Sequence, residues 1–334
     1  MSESNIPQRS GKRFHPAAVV LLDLLLAGVV LLVFFFFQMF LPAMVAARQF
    51  PVHTQPPVET AAPTPTPEDT RTEWQKRFEE HFSPAAVWTE NSYKSPNISI
   101  TIETVSTGEG QDKITYHVAD IYIASPENFR TYTVNNELKY YSVQDPMEMD
   151  AASGAILAIS GDFYSYQKSG FLVRNGEVYS QDYTSSSVCV LFEDGSMEMY
   201  PRNGYDIDEL MSRGVSQAWN FGPSLLDGEG HVLPGYDVSA TVAYPNPRSA
   251  LGSYEPGHYC FVVVDGRQEG YSRGMTIPEL ARVFEDLGCA SAYNLDGGGS
   301  ALMTFNHERF SRQSNGGDRR LGDLLIIVET EEGE

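Results

Sequence analysis

CASAYNLDGGGSALMTF, residues 289–305, is the stretch on which the reading of this chain turns. CASAYNL and ALMTF are short and apolar enough for buried strands, and between them lie Asp296, three consecutive glycines and Ser300. Ordering a glycine costs more backbone entropy than ordering any other residue, so a plain link between strands has no use for three of them. They are expected where a ligand approaches the main chain or where successive amides form an anion-binding nest. Asp296, at the mouth of that bend, has the chemistry of an acid, a base or a nucleophile, and Ser300 that of a hydrogen-bond donor.

Outward from this bend the pattern is mostly strand. ISITI at 98–102 and ITYHVADIYI at 114–123 alternate as half-buried strands do, and AILAIS at 155–160 suits a central one. Asn175-Gly176, Asp194-Gly195 and Asp227-Gly228, residues tolerant of positive φ between apolar runs, mark hairpins. Helices are few. Residues 206–213 are one candidate. TIPELARVFEDL at 276–287 is a second, with Thr276 and Glu279 as a capping box, Pro278 in the first turn and Gly288 as stop. Thr70 and Glu73 frame another box at the start of a short helix. The expected class is α+β: a strand-dominated mixed-sheet domain with two or three helices over 71–330, preceded by one N-terminal transmembrane helix.

That helix is read from AAVVLLDLLLAGVVLLVFFFF at 17–37, about the 20 residues a bilayer crossing needs. Asp23 alone interrupts it. Arg9, Lys12, Arg13 and His15 precede the run, so residues 1–16 are expected in the cytoplasm, 17–40 in the membrane and the rest outside. Cleavage after VAA at 45–47 is the alternative reading. Residues 41–70, rich in Pro and Thr, read as a linker and cannot build a core.

The 334 residues carry a formal charge of −21, which repels polyanions and argues against nucleic-acid binding. An anionic substrate would need a local arginine cluster. With 42% hydrophobic residues the chain can fill a sizeable core. Cys189, Cys260 and Cys289 form no CxxC pair and read as buried structural thiols rather than a zinc site or a disulfide framework. His231 and His258 have no partner at metal-ligand spacing. No metal site is assigned and no cofactor is required by the sequence, although the acidic surface is compatible with a divalent cation such as calcium.

NLDGGGSALM at 294–303 resembles the signature of the phosphodiester glycosidase family. The resemblance continues, in order, through AISGDFYSY within 157–166, GFLVRNGEVY at 170–179, FGPSLLDG at 221–228, PRSALG at 247–252, VVVDGRQEGYSRGMTIPELA at 262–281 and RRLGDLLIIV at 319–328. An ordered set over about 150–328 is far more specific than any single member; residues 71–150 match nothing. Asp162 departs from the family's glycine-rich turn followed by two aromatics.

The resemblance implies a hydrolase that removes a sugar from a sugar-1-phosphodiester. A phosphate ester leaves readily, so such a site needs positive charge and backbone amides more than a strong general acid. On this basis Asp296, Asp265 and Arg248 are the catalytic candidates, with Arg248 and the Gly297, Gly298 and Gly299 amides on the phosphate. Asn294, Ser300, Asp162 and Arg267 are candidate substrate contacts. The expected setting is a single-pass membrane protein whose outer domain acts on a sugar phosphodiester or a cell-wall glycopolymer. A non-catalytic wall-binding module and a phosphodiesterase cutting the P–O bond are the alternatives.

Overall fold

The computed structural model describes residues 69–166, 170–314 and 316–330, and from Asp69 onward the chain forms one compact unit. The expected membrane segment 17–40 and nearly all of the linker lie outside the described residues. Among the described residues no helix is long and apolar enough to cross a membrane.

The run His258–Val264 is apolar at successive positions because its strand is covered on both faces. Phe261 and Val263 face a central core shared by the three sheets of the described residues, whereas Cys260, Val262 and Val264 face the helix Ile277–Leu287. This strand belongs to a seven-stranded sheet ordered Val87–Trp88, Ser92–Lys94, Ile98–Thr107, Ile114–Ile123, His258–Val264, Arg248–Glu255, Ser291–Asn294. A five-stranded sheet runs Met197–Tyr200, Val188–Phe192, Val215–Trp219, Phe171–Arg174, Glu177–Gln181, and another runs Glu308–Arg309, Met303–Phe305, Leu157–Ser160, Asp323–Ile327, Phe129–Thr133. The α+β character comes from helices inserted among strands, since these pairs are antiparallel.

The strand-dominated class holds. Five α-helical segments are present among the described residues, more than the two or three expected, but only Pro146–Ser153 and Ile277–Leu287 reach eight residues. Thr276 caps the latter with Glu279 in a full capping box, and Gly288 ends it in the left-handed conformation. The first helix starts two residues later than the Thr70–Glu73 reading. Thr72 is its cap and Gln75 the reciprocal partner, because glutamine at the third position closes the box as well as glutamate does. Asn175-Gly176 and Asp194-Gly195 join paired strands, while Asp227-Gly228 closes only one bridge, Leu226 to Val232.

Candidate active site

Three adjacent antiparallel strands put the bend at one edge of the large sheet. Arg248 opens its strand opposite Val264, and Asn294 closes its own opposite Ala250. Asp265, Arg248 and Asp296 therefore leave the sheet at the same end. The Gly298 amide donates to the Pro247 carbonyl at 2.8 Å, pinning the bend to the start of the 248–255 strand. A Cβ on Gly297 would stand 2.5 Å from that carbonyl oxygen, and Gly298 has φ +64 with the Arg267 guanidinium lying over it. Both positions need glycine for reasons of space and backbone conformation.

Asp296 is 6% exposed. Its Oδ2 accepts from the Ser300 hydroxyl at 2.7 Å and faces Arg319 Nη1 at 3.3 Å. Burial lifts its carboxyl to about 6, against the pull of Arg319 and Ser300. Arg319 also reaches the Gly297 carbonyl at 3.3 Å and lies over the Phe163 ring, 5.5 Å from its centroid. Its side chain is 37% exposed, so the guanidinium can meet an incoming anion. Arg267, an exposed residue at φ +59, donates to Asn246 at 2.8 Å. From Phe163 a row of rings runs outward through Tyr166, stacked at 4.7 Å, to Tyr141 at 5.6 Å and Tyr140 at 4.2 Å beyond. Tyr141 is 62% exposed. Phe221, 6.2 Å from Phe163, leads to a cleft of about 540 Å³ that Tyr236, Asp237 and Arg202 help to line.

The structure thus gathers Asp296, Gly297, Gly298, Gly299, Ser300 and Arg267, but turns other expected residues inward. The Arg248 guanidinium points away from the bend and donates to the carbonyls of Met275, Val242 and Tyr244. Strand alternation explains this, since Arg248 and Ala250 share the helix-covered face while Ser249 faces Ser160 at 2.6 Å. Burial and the neighbouring charge of Arg267 lower its pKa to about 10. Asn294 is fully buried and donates to the Gly222 carbonyl. Asp162 holds Arg174 at 2.8 Å and the Asn220 amide at 2.9 Å inside the protein. The nest reading also changes, because the Gly298 amide is taken by Pro247 and that of Gly297 supports the Asp296 carboxylate.

Asp265 is buried at the same sheet edge and braced on three sides. His117 Nε2 lies 3.0 Å and the Tyr271 hydroxyl 2.8 Å from Oδ2, and the Arg312 amide donates to Oδ1 at 2.8 Å. Behind Asp296 sits a sealed ion cluster in which Arg174 bridges Asp162 and Asp323. Burial, then the charge of Asp162, drives the Asp323 carboxyl well above its usual range, and its Oδ1 has no partner. Burial would lower Arg174, but the two carboxylates outweigh it and hold the guanidinium above its ordinary pKa. Sequence reasoning missed Arg319, Arg174 and Asp323 as participants. Arg319 and Asp323 lie in the RRLGDLLIIV segment, and the available signal was an arginine pair a few residues ahead of a buried strand. Among the described residues no three His, Cys, Asp or Glu cluster in a way that could hold a metal ion.

The sequence profile of phosphodiester glycosidases matches residues 153–328, just over half of the chain. A curated relative, the SPbeta prophage-derived uncharacterized protein YomE of Bacillus subtilis, is 30% identical over 162 residues, which is 47% of this chain and 25% of that protein. The match thus spans about a quarter of the relative's length. The catalytic domain of zebrafish N-acetylglucosamine-1-phosphodiester alpha-N-acetylglucosaminidase, solved in a form auto-inhibited by its pro-peptide, superposes with a TM-score of 0.56 at 18% identity. That alignment covers 74% of this chain and 87% of the zebrafish chain, and it speaks for a shared fold. With the profile running from the last turn of the 146–153 helix through the 323–327 strand, this chain belongs to the phosphodiester glycosidase family.

Proposed function

We propose that this chain hydrolyses a sugar-1-phosphodiester at the bond between the sugar and its bridging oxygen, with Asp296 as the reacting carboxylate. The observation that carries the reading is the meeting of a buried acid of pKa about 6 with a partly exposed guanidinium, Arg319, at 3.3 Å. Arg319 and Arg267 receive the phosphoryl oxygens, a charge-assisted contact for which guanidinium geometry is suited. Because the departing phosphate is already an anion of low basicity, Asp296 serves as the ionised form, stabilising positive charge at the anomeric carbon or taking a proton from water. Asp265, fixed by His117 and Tyr271, holds the neighbouring loop in place.

The exposed Tyr140 and Tyr141, continuing the ring row from Phe163, favour a carbohydrate chain rather than a nucleotide as the rest of the substrate. With the apolar run at 17–40, this suits an exported, membrane-anchored enzyme of envelope or exopolysaccharide metabolism. The same aromatic row also suits a wall-binding module without turnover. The test is to incubate the protein with sugar phosphodiesters in oxygen-18 water and follow free sugar. Label in the sugar is expected. Label in the phosphate would make it a phosphodiesterase, and binding with no product would make it a module.

A further inference from the structure

The two cysteines that lie far apart in sequence, Cys260 and Cys289, meet in the fold with their Sγ atoms 3.5 Å apart. We propose that they are the two halves of a disulfide formed as the chain folds in an oxidising compartment. Cys260 sits within the 258–264 strand, and Cys289 follows the Gly288 stop of the long helix. Between them runs the 248–255 strand, whose Gly252 pairs with Cys260 on one side and Ala292 on the other. A Cβ at Gly252 would stand 3.1 Å from the Cys260 sulfur and 2.7 Å from the Phe284 ring, so the missing side chain opens the lane in which the sulfurs meet. A disulfide bond is about 2.05 Å long, so the sulfurs approach further as the bond forms.

The pairing is unambiguous, because Cys189 belongs to the central core and Cys260 and Cys289 to the cluster under the helix. Burial, reinforced by Cys289, holds the Cys260 thiol well above its usual pKa. Once packed, it is scarcely ionised and exchanges slowly, so the bond forms before the strands close. Two thiols lose two protons and two electrons, and the electrons reduce the disulfide of a dithiol oxidant or of oxidised glutathione to two thiols. The bridge would tie the strand that leads to Asp265 to the segment that leads to Asp296, fixing both sides of the candidate site.

The test uses the full chain, unfolded in urea and refolded by dilution into a glutathione redox buffer, then alkylated under denaturing conditions and weighed. One alkylated thiol, Cys189, is expected per chain, rising to three after reduction. Cys260→Ser and Cys289→Ser should each show two with or without oxidant, and Cys189→Ser none before reduction. The oxidised parent should melt roughly 5–10 °C above its reduced form, with no such shift in Cys260→Ser. The same count on chain blocked by alkylation at lysis of cells that export it needs no refolding. Three free thiols on folded parent, or thiol loss that persists in Cys260→Ser, overturns the proposal.

Discussion

Two clusters of arginine and aspartate lie on either side of the glycine bend, and they differ in what surrounds them. In front, Asp296 faces Arg319, whose side chain is 37% exposed, beside Arg267 at the surface. Behind, Arg174 bridges Asp162 and Asp323 with almost no solvent access to any of the three. The same residue types therefore do opposite work. An open guanidinium can exchange water for a substrate anion at little cost, whereas a sealed one is committed to its carboxylates by their desolvation. On the proposed function the front pair would supply the chemistry, and the rear cluster holds the 157–160 and 323–327 strands that support it.

Several substitutions would break or sharpen this contrast. Asp296→Asn should lower kcat/KM by about 10²–10⁴-fold while leaving the fold intact, the span expected for a group acting directly on the reacting atoms. Retained turnover would move the chemistry elsewhere. Arg174→Met, by contrast, should act on stability. Stranding two buried carboxylates costs about 3–5 kcal/mol, read as a lower midpoint in thermal unfolding. An unchanged midpoint would remove the distinction between the two clusters. Arg319→Met should weaken substrate binding by about 10-fold or more and raise the acid limb of the pH profile, because Arg319 is what pulls Asp296 down. In the parent, activity should rise with pH through about 6 as Asp296 ionises.

The sign for stability is opposite. A carboxyl whose folded pKa is raised is favourable to the fold when protonated, below its unfolded value near 3.8, and that contribution is lost as pH climbs through about 6. Asp296→Asn should therefore gain on the parent in thermal midpoint between about pH 4 and 7, and a constant difference would contradict the burial. Smallest of all is Asp323→Asn. An amide of the same shape still offers Arg174 an acceptor oxygen and leaves its pairing with Asp162 in place, so the loss of stability should be smaller than that of Arg174→Met, measured by denaturant unfolding.

Much of the fold was legible because its signals are local. Asn175-Gly176 closes a hairpin, Thr276 with Glu279 opens the long helix, and ITYHVADIYI at 114–123 is the strand its alternation announced. The bend at 296–300 was equally plain, since three glycines beside an acid are costly wherever they occur. Arg248 shows where local reading stops. It stands first in the 248–255 strand, but the direction of its side chain depends on which face of that strand the 277–287 helix covers.

What the sequence alone determined, then, is the class of the domain, its strands and turns, the glycine bend with Asp296, and the ordered motifs of the family. Periodicity, capping and backbone tolerance are properties of a few adjacent residues, and they survive in any fold. Tertiary structure decided which charges meet. It gave Arg319 to Asp296, sealed Arg174 between Asp162 and Asp323, and laid Cys260 beside Cys289 across Gly252. Those pairings join residues from 12 to 149 positions apart. No pattern short enough to be read along the chain encodes them, because only the packing of sheets and helix sets which groups lose water together.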